Sequence, residues 1–221
     1  QDYHGVVRCA LGWACWKTYL GRPEADWPRR LAMSGLGNGL SEARQHEDAL
    51  PVKETELSME RRLGASEHTL LVMQGNIANT YSALGRDEEA LSMRHEVYSG
   101  HLNLDGEETE DTLLAALNYG DSFLNLRRFE EAKALLRRTM PVARRALGES
   151  NETALRMRGV YAVAFYEDPT ATLDGLREAV ATLEDAERIA RRVFGGAHPL
   201  TKGIEGDLRQ ARAALRAREA S

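Results

Sequence analysis

Residues 69–106 read TLLVMQGNIANTYSALGRDEEALSMRHEVYSGHLNLDG, and this stretch predicts two helices joined by a short turn. The apolar residues of its first half recur at spacings typical of one helix face: Leu70, Ile77, Tyr81 and Leu84. Gly85 then interrupts the pattern, and glycine tolerates the left-handed conformation in which many helices end. Acidic residues follow it, and carboxylates favour the positive end of a helix dipole. The stretch therefore predicts a helical hairpin.

The hairpin pattern repeats along the chain. Leu-Gly and similar pairs end successive segments at Gly64, Gly106 and Gly148, each 42 residues after the one before, and Gly195 follows after 47. Glutamate–alanine pairs and aromatic residues keep the same step. A fixed period of this length is the mark of a repeat protein. The longer last interval predicts a five-residue insertion, which we place in residues 167–172.

These landmarks predict one all-α solenoid over residues 1–221. Its segments are an N-terminal helix that is a cap or a partial repeat (1–26), four repeats (27–64, 65–106, 107–148, and 149–195 with the insertion) and a C-terminal capping helix (196–221). Pro51 lies near a helix start, where proline is tolerated. Pro141 falls in mid-helix, so we expect it to kink the helix or to remove a hydrogen bond.

Three positions in each repeat carry a family signature. They are a small residue (Gly37, Ala78, Gly120, Ala162), a leucine or aromatic residue three later (Leu40, Tyr81, Phe123, Phe165) and the alanine near the start of the second helix (Ala49, Ala90, Ala132, Ala179). This ladder resembles the tetratricopeptide repeat. The longer period, the Leu-Gly ends and the His-Pro-Leu-Thr sequence at 198–201 look like the kinesin-light-chain subtype.

The resemblance implies a right-handed α-α superhelix whose concave groove, lined by first helices, binds an extended peptide or a partner helix. It places groove contacts at Asn76 and Asn118, two residues before the small position, and at Asn38, Asn79 and Asp121, one residue after it. Leu114 and Leu117 add an apolar patch. An asparagine on an inner face also bonds neighbouring turns in many proteins, so a purely structural role is the alternative. The fourth repeat departs from the pattern, with Val160 and Val163.

Charge and composition limit the classes of molecule that the chain is expected to bind. The net charge is −5, and 43% of the 221 residues are hydrophobic. An acidic chain is a poor binder of nucleic acid, and the paired arginines of the second helices are interpreted as solvated faces. No apolar run is long enough for a membrane partner. Cys9 and Cys15 lack redox or zinc spacing, so we expect buried free thiols and a cytoplasmic location.

Motifs that carry chemistry are absent from the sequence. Its six histidines do not pair at metal-ligand spacing, so we predict no metal, no cofactor and no enzyme. The glycines of residues 35–39 follow no strand, and close helix packing explains them better than a nucleotide loop. We predict a non-catalytic scaffold that binds a protein or peptide. The alternatives are self-association, through the ends or through Trp13 and Trp16, and an auxiliary domain of a larger protein.

Overall fold

The computed structural model describes residues 3–220, and within that range it is built from ten α-helices and no strand. The helices are α1 (Tyr3–Tyr19), α2 (Trp27–Glu42), α3 (His46–Arg62), α4 (Glu67–Ala83), α5 (Asp87–Asp105), α6 (Glu110–Asn125), α7 (Phe129–Leu147), α8 (Glu152–Tyr166), α9 (Leu173–Phe194) and α10 (Pro199–Glu219). None of these helices combines the length and the apolar character that crossing a membrane requires. The all-α prediction is confirmed.

The chain divides into two compact units, Gln1–Gly100 and His101–Ser221, and the boundary falls inside α5. In the first unit α1 packs on α2, α2 on α3, and α3 on α4. In the second unit consecutive helices pack from α6 to α10, and the first helices also meet one another, α6 with α8 and α8 with α10. Stacked helical hairpins of this kind bury a continuous apolar face that no hairpin could bury alone.

The turns inside the first three hairpins share one geometry. Each has three residues, and its middle residue is left-handed: Arg44 (φ 59°), Gly85 (φ 71°) and Arg127 (φ 56°). The amide after it donates to the carbonyl of the leucine or aromatic ladder residue, at 2.9 Å for Leu40, 2.9 Å for Tyr81 and 2.8 Å for Phe123. This is the pattern of a Schellman helix end. The left-handed conformation expected at Gly85 is thus confirmed.

Glycines also separate one hairpin from the next. Gly64, Gly106, Gly148 and Gly195 have φ between 74° and 89°, a region that favours glycine. A capping residue follows each of them and accepts a hydrogen bond from the first turn of the next helix: Ser66, Thr109, Asn151 and His198. A left-handed glycine followed by an N-cap ends one helix and begins another, which explains why these positions recur.

Small residues let the helices of each hairpin approach closely. Ala49, Ala90, Ala132 and Ala179 all have 0% of their surface exposed. The small positions of the first helices, Gly37, Ala78, Gly120 and Ala162, are buried as well. A larger side chain at the alanines would displace a neighbouring helix, because cores are packed without spare volume.

Residues 167–172 connect α8 to α9, and this turn is three residues longer than the turns of the other hairpins. Lys133, which is 4% exposed, holds it: Nζ lies 2.8 Å from Asp168 Oδ2 and 2.6 Å from Glu130 Oε1. Asp168 Oδ1 accepts from both the amide (2.8 Å) and the hydroxyl (2.7 Å) of Thr170. Burial disfavours both charges, but these hydrogen bonds outweigh it, so the pKa of Lys133 is raised and that of Asp168 is lowered.

Three expectations about single residues or pairs have different outcomes. Helix α7 continues through Pro141, so the proline removes one amide donor without ending the helix. The arginine pairs of the second helices are exposed, as expected of solvated faces. The cysteines are free, but the prediction that both are buried is wrong, because Cys15 is exposed and Cys9 is half-buried.

Among the described residues, α1 packs closely only against α2, which leaves its other face uncovered.

Candidate functional site

In the first unit, helix α4 carries one stripe of accessible side chains. Val72, Asn76 and Asn79 follow one another at spacings of four and three residues, so they share a face, and all three are exposed. The Asn79 amide oxygen accepts a hydrogen bond from Arg94 Nη2 at 3.1 Å. The main-chain oxygen of Asn76 accepts from Lys53 Nζ at 3.4 Å. The stripe therefore offers two side-chain amides, and buried Lys53 hydrogen-bonds the main chain of the same helix.

Helix α2 presents the same three positions one repeat earlier, as Leu31, Gly35 and Asn38, and all three are exposed. Leu31 and Gly35 line a largely apolar cavity of about 430 Å³ between α1 and α2. Its other walls include Leu11, Tyr19 and Trp27. Trp27 is 66% exposed and Leu31 55%, so the mouth of the cavity is open to solvent. A cavity of this kind suits an apolar side chain.

The glycines around this cavity have two different roles. A Cβ at Gly39 would lie 2.8 Å from the backbone of α1, and one at Gly12 would lie 2.8 Å from Leu36 Cα. These two glycines allow α1 and α2 to touch. A Cβ at Gly35 would meet nothing within 4 Å, so the expected packing role is wrong for this residue. Its missing side chain instead leaves the cavity open.

In the second unit, helix α6 carries the corresponding residues Leu114, Asn118 and Asp121, and all three are half-buried. Leu117, expected beside them, has 0% of its surface exposed and belongs to the core. The helical spacing explains this difference. Leu114, Asn118 and Asp121 follow steps of four and three residues along one face, whereas Leu117 lies about 100° of rotation away from Asn118.

Helix α8 ends this series without an amide. Val160 and Val163 occupy the positions of Asn118 and Asp121, and both are half-buried. Arg156, at the position of Leu114, is exposed. The accessible stripe of the fourth hairpin is thus apolar with one charged end, and it lacks the side-chain amides that α4 and α6 offer.

In the first unit, helix α3 carries a buried lysine and a half-buried glutamate whose pKa values are shifted. Lys53 is 7% exposed, and its Nζ also donates to Thr80 Oγ1 at 3.0 Å. Burial lowers the pKa of Lys53. Burial also raises the pKa of Glu56 to about 7, although a hydrogen bond with Ser34 opposes the shift. Glu56 therefore changes charge in the neutral range.

One cluster of potential metal ligands was not foreseen. His101, Asp105 and Asp111 place donor atoms within 4.8 Å of one another, and His101 Nδ1 lies 3.0 Å from Asp105 Oδ2. An imidazole with two carboxylates can hold a divalent cation. The hydrogen bond to Asp105 also satisfies the His101 ring, which is 4% exposed, without a metal. The i,i+4 spacing of His101 and Asp105 was the available signal, whereas Asp111 comes from the next helix.

Comparison with known families finds one match inside the chain. Residues 112–152 match the tetratricopeptide repeat model. This segment covers α6, α7 and the cap of α8, the third of the four hairpins. No curated protein sequence matches the chain significantly.

Solved structures resemble the whole chain. BtubC (BKLC) from P. vanneervenii is 16% identical, with a TM-score of 0.69 over 99% of this chain and 89% of that one. A putative kinesin light chain of Podosopora anserina with nearly identical TPR-like repeats is 20% identical, with a TM-score of 0.70 over 90% and 91%. A Rap protein complexed with Competence and Sporulation Factor is 14% identical, with a TM-score of 0.55 over 98% and 62%. At these identities the likeness shows the fold alone, and it confirms the predicted fold class of tetratricopeptide-like helical hairpins.

Proposed function

We propose that the chain is a tetratricopeptide-repeat protein with the fold of kinesin-light-chain-like repeats, and that its function is binding. In this proposal it is a non-catalytic scaffold. It binds an extended peptide, or a helix of a partner protein, on the accessible faces of its first helices. The Rap relative complexed with Competence and Sporulation Factor supports a binding role for the fold in general.

The observation that carries the proposal is that the same accessible positions recur in the first helices of each unit. Three successive first helices present the same three positions to solvent, wholly or in part: Leu31, Gly35 and Asn38 in α2, Val72, Asn76 and Asn79 in α4, and Leu114, Asn118 and Asp121 in α6. Residues that pack only against the core are usually apolar, so side-chain amides at these positions favour a contact outside the core. An asparagine side chain can donate to and accept from a peptide backbone, which satisfies both groups of an extended chain.

The cavity of the first unit indicates the kind of side chain that the ligand offers. It is bordered by Leu11, Trp27 and Leu31 and has about 430 Å³ of space, enough for one large apolar residue. Burying such a residue contributes about 1.5–3 kcal/mol, whereas exposed asparagines contribute mainly orientation. We therefore propose that the ligand inserts an apolar anchor here.

A selection from random peptides on the immobilised chain tests the proposal. The selection is repeated on the double variant Asn76→Ala/Asn118→Ala and on Leu31→Ser. Control variants are Asn103→Ala and Leu104→Ser, which change exposed residues of the second helix α5. We expect a consensus with an apolar residue that binds the wild type and both controls, and that binds the other two variants at least tenfold more weakly.

Two results would contradict the proposal. A consensus that binds all variants equally would place the ligand elsewhere on the molecule. The absence of any enriched peptide would favour the second candidate function, self-association through α1. That candidate is supported by the exposure of α1 side chains, at 55% for Val7, 60% for Leu11 and 51% for Trp13. Trp16, expected to take part, is half-buried beneath Arg29.

A further inference from the structure

A second cavity lies in the second unit between α7, α8 and α9, and the proposed function makes no use of it. Its volume is about 260 Å³. Seven polar side chains line it: Arg137, Arg144, Arg158, Tyr161, Glu178, Thr182 and Asp185. Its walls are two second helices, and its floor is the first helix α8.

Arg158 forms the floor of this cavity and is 5% exposed. Its Nη1 donates to Asp185 Oδ2 at 2.8 Å. Its Nη2 is buried and has no hydrogen-bond partner in the part of the chain that the structure describes. Arginine stays protonated in proteins, so the cost of burying this unpaired donor cannot be avoided by loss of a proton. A buried donor on a cation favours the arrival of an anionic acceptor.

The second hairpin has a neutral amide at the position of the Arg158 guanidinium. Gln74 is the counterpart of Arg158, two repeats earlier, and Glu96 is the counterpart of Asp185 once the inserted residues are counted. Gln74 Nε2 donates to Glu96 Oε2 at 3.0 Å. A neutral amide is therefore enough to join the two helices of a hairpin. The fourth hairpin has a cation instead, with a nitrogen that this contact does not use.

Three other side chains in the cavity already form hydrogen bonds with one another. The Tyr161 hydroxyl donates to Glu178 Oε1 at 2.6 Å and accepts from Arg137 Nε at 2.8 Å. Burial, together with the hydrogen bond to Glu178, raises the pKa of Tyr161 to about 12, so the phenol stays neutral. These three side chains form a fixed wall. Arg158 and the half-exposed Arg144, which is itself paired with Glu149, are the cations on the remaining sides.

The cavity is separate from the stripe that we propose as the peptide site. At about 100° of rotation per residue, the midpoint between Arg158 and Tyr161 lies about 160° around α8 from the midpoint between Val160 and Val163. The cavity thus lies on the face of α8 opposite to the one that corresponds to the peptide stripe. A ligand in one leaves the other accessible.

We infer that this cavity binds one carboxylate of a partner protein, an aspartate or glutamate side chain, through Arg158 Nη2. The size supports a single side chain, because 260 Å³ is too small for a folded segment. The charge supports a monoanion. Arg144 pairs with Glu149, and Asp185 also pairs with Arg188. Four arginines against three carboxylates thus leave one positive charge, which a carboxylate balances and a phosphate dianion exceeds.

Nuclear magnetic resonance of the arginine side chains tests this inference. The labelled full chain is titrated with N-acetylglutamate N-methylamide, with the matching glutamine compound and with the matching phosphoserine compound. We expect a saturable shift of the Arg158 side-chain resonance with the glutamate compound alone, and weaker or no binding of the other two. Equal shifts with the neutral glutamine compound, or tighter binding of the phosphoserine compound, would overturn the assignment to a carboxylate.

Substitutions test whether the glutamate compound binds in the cavity or is only attracted to a basic surface. Arg158→Gln introduces the residue type found at Gln74, so it should fold, and it should bind the glutamate compound at least tenfold more weakly. The matched control is Arg156→Gln, an exposed arginine on the same helix, which should bind like the wild type. Equal loss in both variants, or no loss in Arg158→Gln, would overturn the inference.

A third variant keeps the test decisive if Arg158→Gln does not fold. Arg144 lines the cavity, but its side chain is 53% exposed, so Arg144→Gln leaves the core intact. We expect it to bind the glutamate compound several-fold more weakly with an unchanged melting temperature. Unchanged binding would count against the cavity. The peptide selection described above does not involve these residues, so the two proposals can fail independently.

Discussion

At the scale of single residues, the alanine ladder is where sequence and packing are most closely connected. Ala132 is 0% exposed, and its place between the two helices of the third hairpin leaves no room for more atoms. We expect Ala132→Leu to lower the free energy of unfolding by about 1–3 kcal/mol, measured by chemical denaturation. The control is Ala134→Leu, an exposed position on the same helix, which should change it by less than about 0.5 kcal/mol. Equal effects would mean that the ladder is not a packing constraint.

Glu56 makes stability depend on pH. Burial raises its folded pKa from 4.5 to about 7, so between these values the folded state holds a proton that the unfolded state has lost. Stability therefore falls as pH rises from about 4.5 to about 8, by at most about 3 kcal/mol and by less where water screens the group. Glu56→Gln should remove this part of the pH dependence and stabilise the protein at pH 8.

Denaturation midpoints at several pH values measure this effect as the difference between wild type and variant. Glu47→Gln, an exposed position on the same helix, should keep the wild-type pH dependence. If the Glu56→Gln curve ran parallel to that of the wild type, the carboxyl would titrate alike in both states. Other groups change charge in this range as well, so only the difference between the curves tests Glu56.

At the scale of elements, the contact of α1 with α2 depends on glycines at particular positions. A Cβ at Gly39 would lie 2.8 Å from the backbone of α1, whereas one at Gly35 would meet open space. Alanine favours a helix over glycine by about 1 kcal/mol at either site. We expect Gly35→Ala to preserve or raise the melting temperature and Gly39→Ala to lower it, despite the same gain in helix propensity. Similar melting temperatures for the two variants would contradict the close contact.

The connection between α8 and α9 depends on one buried ion pair. Lys133→Met leaves Asp168 without its cation in a site that is 7% exposed. Removing one partner of such a pair costs about 3–5 kcal/mol, and the hydrogen bonds from Thr170 keep the loss near the lower limit. The double variant Lys133→Met/Asp168→Asn should recover part of the loss. A denaturation cycle with no recovery would show that the two charges act independently.

The elements were largely predictable from the sequence, and the contacts between distant residues were not. Periodicity and left-handed glycines located the hairpins, because both are local properties of the chain. The connection at 167–172 was located by counting, but Lys133 gave no sign that it would pair with Asp168, 35 residues away. The burial of Leu117, the open space at Gly35 and the approach of Asp111 to His101 also depend on tertiary packing.

At the scale of the whole molecule, the two candidate functions predict different behaviour in solution. If the apolar cavity beside α1 serves a peptide, the chain should sediment as a monomer over a wide range of concentration. A sedimentation coefficient that rises with concentration would favour self-association. In that case Leu11→Ser, which changes a 60% exposed residue of α1, should restore the monomer, and Leu104→Ser should not. Analytical ultracentrifugation of the three proteins distinguishes these cases.

The ion pair at Lys133 and Asp168 also has a consequence for digestion by proteases. Proteases cut where a backbone can leave its neighbours and extend into an active site, and long connections are usually the first to do so. Residues 167–172 form the longest turn within a hairpin of this chain, yet Asp168 and Ala171 are buried and Asp168 also holds the Thr170 amide. The connection from Leu20 to Asp26 is held by exposed contacts instead, such as the ion pair of Glu24 with Arg62, and residues 20–25 are all exposed. The first cut should therefore separate α1 from the rest of the chain, and the inserted turn should remain intact.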